Sequence, residues 1–181
     1  MQCTITAKLK LHTTPDQFRV LRLTQLAYRD ALNDVSQYTF AHGKISNKVA
    51  LQDGTYLEVR ATFGLPAQLA CSAPRQVGAT YQRQCTKVKA NAAARAAGHT
   101  KKRYRGLDQA PRYRSPTLTY QLGHDYGFKT GQQVSLLTLS GRVIVPYALH
   151  WLCSACGAHS AGAAGARLGV ANLCWYDRPR R

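Results

Sequence analysis

The hydrophobic period of this sequence changes twice, and the order of those changes restricts the folds open to it. Residues 3 to 11, CTITAKLKL, alternate strictly, with Cys3, Ile5, Ala7, Leu9 and Leu11 on one side and Thr4, Thr6, Lys8 and Lys10 on the other. A period of two marks a half-buried strand, here with a basic outer face. From Pro15 the period becomes helical: Phe18, Leu21, Tyr28, Leu32 and Val35 share one face, and Gly43 marks the end. Thr14 can cap, Pro15 fits the first helical position, and Gln17 can reach back to complete a capping box, so a helix is expected over about Pro15 to Ala41. The pattern weakens from Asn47 to Phe63, where Asp53-Gly54 predicts a break between two short helices. Pro66 then opens a longer helical stretch with Leu69, Val77, Tyr81, Cys85 and Val88 on its apolar side and a kink expected at Pro74.

Beyond Pro116 the period returns to two. TLTYQL, QVSLLTL and RVIVPY read as consecutive antiparallel strands, with a hairpin signal at Ser140-Gly141, and GVANLCWYD at 169 to 177 reads as a last strand. The connection SAGAAGARL fits no element. Strand, helical block, then strands predicts an α+β fold: a small antiparallel β-barrel interrupted by an inserted helical domain. The expected segments are 1–12 (first barrel strand), 13–98 (inserted helical domain), 99–116 (basic linker) and 117–181 (rest of the barrel), with 150–168 the least patterned.

Charge supplies the partner class. The 181 residues include 25 Lys and Arg against 8 Asp and Glu, a net charge of +17 spread over most of the length. Such an excess repels itself unless a polyanion compensates it, and nucleic acid is the expected partner; an acidic protein partner is the alternative. No run approaches the ~20 apolar residues needed to cross a bilayer. The opening MQCTITAKLK has no apolar core for a signal peptide, and the six cysteines are irregularly scattered, so a cytoplasmic chain with reduced thiols is expected.

Two regions concentrate the cations. On the third helical stretch Arg75, Arg83, Lys87 and Lys89 lie away from the apolar side, and no acid occurs between Glu58 and Asp108 to neutralise them. In HTKKRYRGLDQAPRYRSP, residues 99 to 116, Lys101, Lys102, Arg103, Arg105, Arg112 and Arg114 are interleaved with Tyr104 and Tyr113. Guanidinium groups bind phosphate and tyrosine rings stack on unpaired bases, so the mixture suits irregular nucleic acid; a flexible basic linker is compatible with the same residues. Lys8, Lys10 and Arg142 complete the candidate phosphate contacts.

Catalytic patterns are missing. The acids Asp16, Asp30, Asp34, Asp53, Glu58, Asp108, Asp125 and Asp177 do not compose a carboxylate site for Mg²⁺, and there is no Walker-type phosphate loop. His124-Asp125, in GHDYG, reads as a turn between strands rather than an acid-base pair. In HWLCSACGAH, Cys153 and Cys156 form a zinc half-site, to be completed by His150 and His159 or by Cys174. Four ligands within ten residues leave the chain little freedom to converge, which favours reduced cysteines over zinc, so no cofactor is expected.

Three stretches carry a family resemblance: TAKLKLHTTPDQF, NKVALQDGTYLEVRATFGLPAQLA and, most specifically, RYRSPTLTYQLGHDYGFKTGQQVSLLTLSGRVIVPY. They resemble the N-terminal half of the transposon-encoded TnpB (OrfB) proteins, RNA-guided nucleases related to type V CRISPR effectors. The resemblance covers about residues 1 to 147 and resumes in LGVANLCWYDRPRR. It implies a wedge-type barrel and a recognition domain that grip guide RNA and help read the DNA target, in a prokaryotic cytoplasm and near the nucleoid. The family's RuvC-like nuclease, with its acidic triad, follows this region, so cleavage by this chain is not expected and a nuclease-bearing partner chain would supply it. CSACG resembles one knuckle of the family's zinc ribbon but stands before the last wedge-like strand. The alternatives are a non-functional remnant of a decayed mobile element and a zinc-dependent DNA-binding regulator.

Overall fold

The computed structural model describes residues 8–150 and 170–173. The chain forms β1 (Lys8–Leu11), α1 (Pro15–Ala41), α2 (Lys48–Phe63), α3 (Ala67–Ala96), β2 (Leu118–Gln121), β3 (Tyr126–Lys129), β4 (Gln133–Thr138), β5 (Gly141–His150) and β6 (Val170–Leu173). The expected strand residues 3 to 7, and the calls on Cys153, Cys156, His159 and Cys174, lie outside the described residues.

Helix α1 starts and stops where its sequence signals stand. The Thr14 hydroxyl accepts from the Gln17 N–H at 3.3 Å, and the Thr14 N–H donates to Gln17 Oε1 at 3.1 Å, closing the capping box. Gly43, at φ 81°, turns the chain away after the C-terminus. Helix α2 corrects the expected break, because it runs unbroken through Asp53-Gly54 from an N-cap at Asn47. A Cβ at Gly54 would stand 2.6 Å from Tyr38 Oη, so this glycine admits the tyrosine of α1 instead of ending a helix. Helix α3 likewise continues past Pro74, which is buried within it.

The three helices pack on one another, and β1 and β5 bracket them in sequence while pairing in space. The larger sheet is antiparallel in the order β1-β5-β4-β3, with Leu11 opposite Tyr147, Val134 opposite Val145 and Tyr126 opposite Leu136. The helical block is therefore an insertion between two hydrogen-bonded strands. One apolar cluster joins α1 (Leu21, Tyr28, Leu32, Val35), α3 (Leu69, Val77, Tyr81) and the sheets (Leu118, Tyr120, Val134, Leu136, Val145). Two bonds seat α1 on the larger sheet: the Leu139 N–H donates to Thr24 Oγ1 at 3.1 Å, and Gln17 Nε2 donates to the Ile144 carbonyl at 3.2 Å.

The expected closed barrel is not formed among the described residues. The four-stranded sheet is open, and β2 pairs with β6 in a separate two-stranded ribbon instead of continuing the run into β4 and β5. The cause is local. In the turn after β2 the Gly123 N–H donates to the Tyr126 carbonyl, and the His124 and Asp125 N–H groups both donate to the Gln121 carbonyl. The Asp125 carboxylate takes the Gln121 N–H at 3.0 Å. These bonds consume the groups that a β2–β3 ladder would need, leaving a single bridge between Leu122 and Tyr126.

Candidate nucleic-acid interface

Residues 101 to 114 are not a free linker. They form a strap that runs back along α3 and crosses to α1, and two helical asparagines hold its backbone. Asn91 Nδ2 donates to the Lys102 carbonyl at 3.0 Å, while Asn91 Oδ1 accepts the Tyr104 N–H at 2.8 Å. Asn33 makes the same pair to one residue, donating to the Tyr113 carbonyl at 3.1 Å and accepting the Tyr113 N–H at 2.8 Å. Each side-chain amide thus replaces the neighbouring strand that an extended segment would otherwise need. Ser36 Oγ donates to the Pro111 carbonyl at 2.7 Å, and buried Leu107 anchors the middle of the strap in the core. Gly106 lets the chain fold over the Tyr104 ring, which any Cβ there would strike.

The tyrosines of this segment face inward. Tyr104 Oη hydrogen-bonds Gln84, and Tyr113 Oη donates to Thr80 Oγ1 at 2.9 Å. Burial pushes the Tyr113 hydroxyl above its usual range, opposed by the hydrogen bond to Thr80. Thr80, Gln84, Lys87 and Asn91 follow one another at three- and four-residue spacing, so one stripe of α3 receives the strap and Lys87 stands within it. With the tyrosines turned in, the cations turn out: Lys101, Lys102, Arg103, Arg105, Arg112 and Arg114 are all exposed.

Electrostatically the strap and the second half of α3 form one unit. Residues 83 to 114 hold ten Lys and Arg against a single acid, Asp108. Three ion pairs form among the described residues: Arg103 with Asp108 at 3.2 Å, Arg29 with Asp30 at 2.7 Å and Arg19 with Asp16 at 3.6 Å. The other strap cations have no carboxylate partner there, so like charges are held side by side on a fixed backbone. That arrangement is costly in isolation and is relieved by a polyanion.

The remaining candidates are spread more widely. Arg75 is exposed, about 12 Å up α3 from Arg83 at 1.5 Å per residue. Lys10 is exposed on β1, and Lys8 begins the same strand. Arg142 lies at the other end of β5, where its guanidinium donates to the His124 carbonyl at 2.6 Å and to Ser135 Oγ at 3.4 Å. It braces the β2–β3 turn while staying exposed. Strap and α3 are brought together; Lys10 and Arg142 belong to the sheet.

That turn also holds a buried carboxylate. Asp125 is fully buried; Oδ2 accepts the Gln121 N–H, while Oδ1 has no hydrogen-bond partner among the described residues. Burial raises its pKa above the ordinary carboxylate value, with the Gln121 N–H, His124 and Arg142 opposing the shift. The neighbouring Tyr120 hydroxyl, bonded to the Leu137 carbonyl, is raised strongly by burial and by Asp125. His124-Asp125 lies in the turn between β2 and β3, as its glycine flanks suggest.

Among the described residues no three His, Cys, Asp or Glu side chains gather into a group able to hold a metal ion. Cys71 and Cys85 are free, half-buried thiols on α3. No helix among the described residues is long and apolar enough to cross a membrane. The two asparagine clamps that hold the strap are what sequence reasoning missed. Their signal was available, since asparagine is a poor helix former and both stand inside long helices. No family model, curated protein or solved structure matches the chain.

Proposed function

We propose that this chain is the nucleic-acid-binding portion of a TnpB-like transposon-associated protein. It grips guide-type RNA, and DNA directed by that RNA, through phosphates and without cutting them. One observation carries the reading: ten cations against one acid in residues 83 to 114, set on a backbone that Asn33 and Asn91 hold in place. A preorganised row of guanidinium and ammonium groups binds phosphates without first ordering a loop. The insertion of a helical block between strands that pair with one another supports the family resemblance, which expects a recognition domain inserted into a wedge. Cutting would belong to a nuclease-bearing partner chain.

A salt series tests the reading. Binding of a structured RNA hairpin should weaken steeply with salt, and exchanging Lys101, Lys102, Arg103 and Arg105 for glutamine should lower the slope of log affinity against log salt by about three, at ~0.7–0.9 per phosphate contact. An affinity independent of salt would refute phosphate binding. An unchanged slope in the quadruple variant would remove the strap from the interface.

A further inference from the structure

Helix α2 packs one side against α1 and α3 and leaves the other uncovered. Leu51, Thr55 and Val59 are buried, and Tyr38 of α1 lies over Gly54. The outward stripe consists of Val49, Asp53, Leu57 and Arg60, at three- and four-residue intervals, with half-buried Tyr56 beside them. Leu57 is 77 % exposed and Val49 57 %, the two most exposed large apolar side chains among the described residues. Neither contributes to the core, and together on one stripe they leave apolar surface for a second protein to cover.

Charge on this helix differs from that of the chain as a whole. Residues 48 to 63 hold two cations, Lys48 and Arg60, and two acids, Asp53 and Glu58, in a chain of net charge +17. Such a face has no net charge to draw a polyanion or to drive two copies apart. None of the four enters an ion pair among the described residues. Arg60 donates to Tyr56 Oη at 3.2 Å, one turn back on the same helix, which uses one of its five N–H groups and keeps the guanidinium near the stripe. Asp53 and Arg60, both exposed, are seven residues or about 10 Å apart along the axis, with Leu57 between them. The stripe is therefore self-complementary. An identical helix laid antiparallel across it, on a two-fold axis beside Leu57, brings each Asp53 to the height of the other copy's Arg60.

We infer that two copies of this chain associate through α2, antiparallel about a two-fold axis, with the Leu57 side chains in contact at the centre and two Asp53–Arg60 pairs flanking them. This stands independently of the nucleic-acid reading above. A two-fold contact uses the same patch on both copies, so it closes at two. Helix α2 has 16 residues, about 24 Å of axis, and a stripe of that length and ~10 Å width belongs with the small, transient interfaces below ~1,200 Å². The dimer is accordingly weak, forming in the micromolar range and above.

Sedimentation velocity of the full chain, freed of nucleic acid so that no polyanion bridges the copies, reads the mass as concentration rises from about 5 to about 500 µM. The wild type should move from monomer toward dimer and no further. Asp53→Arg and Arg60→Asp each set like charges opposite one another and should weaken self-association about tenfold. Mixed in equal amounts, the two variants regain both pairs in the heterodimer and should associate at close to wild-type strength, which a structural effect of either substitution would not produce. Leu57→Ser should abolish association with an unchanged melting temperature, because that side chain is largely exposed. A wild type that stays monomeric or grows beyond a dimer overturns the inference. So does a mixture no stronger than its single variants, or a dimer that Leu57→Ser leaves intact. RNA binding by the strap is read separately, in the salt series, and none of these outcomes touches it.

Discussion

Replacing Asn33 with alanine removes a clamp without touching the apolar core, which makes it a clean measure of what holds the strap. Two hydrogen bonds disappear, one to the Tyr113 N–H and one to its carbonyl. At ~1 kcal/mol net each, their loss costs about 2 kcal/mol, of which the better helix propensity of alanine returns about 0.5. A net loss of about 1.5 kcal/mol in a chain of this size lowers the melting temperature by roughly 3–6 °C. Calorimetry or a circular-dichroism melt reads the change. Asn33→Asp keeps the acceptor for the Tyr113 N–H and drops the donor, so it loses one bond instead of two and should cost ~1 kcal/mol, less than the alanine variant. The strap also carries Arg112 and Arg114, so the alanine variant should bind a structured RNA less tightly even though every cation remains. A melting temperature that is unchanged or raised, as helix propensity alone would give, refutes the clamp. Unaltered RNA affinity in a destabilised variant would separate strap order from binding.

Asp125→Asn keeps an acceptor for the Gln121 N–H and removes a buried charge. Because the folded-state pKa lies above the unfolded one, folding favours the protonated carboxyl; stability is lost as pH rises from the ordinary carboxylate value through the raised one. The variant should therefore be more stable than wild type at neutral pH and equal to it in acid, and parallel melts across that range decide the matter. Tyr81→Phe deletes a buried hydroxyl that donates to the Ser36 carbonyl at 2.7 Å, and should lower stability by about 1 kcal/mol in a urea titration.

The elements of this chain were legible where their signals are local. Thr14, Pro15 and Gln17 lie within one turn of one another, so the start of α1 could be read to the residue. The alternation in β5 and the Ser140-Gly141 turn likewise led to the β4–β5 hairpin. Where a residue answers to a distant partner, the same kind of reading failed. Gly54 looks like a helix breaker until Tyr38 is seen above it.

The cation-rich segment divides along the same line. Its composition leads one to expect a polyanion partner, because net charge needs no geometry to repel or attract. Which residues of the segment face outward depended on Asn33, Ser36, Thr80, Gln84 and Asn91, up to 80 residues away in sequence. The interleaved tyrosines read as stacking platforms and proved to be the side that binds the protein's own helices. Sequence determined the order of the elements and the sign of the charge, which follow from neighbouring residues and from sums over the chain. Tertiary structure decided that the sheet stays open and that the strap is fixed, because each depends on hydrogen bonds between segments whose pairing no local pattern encodes.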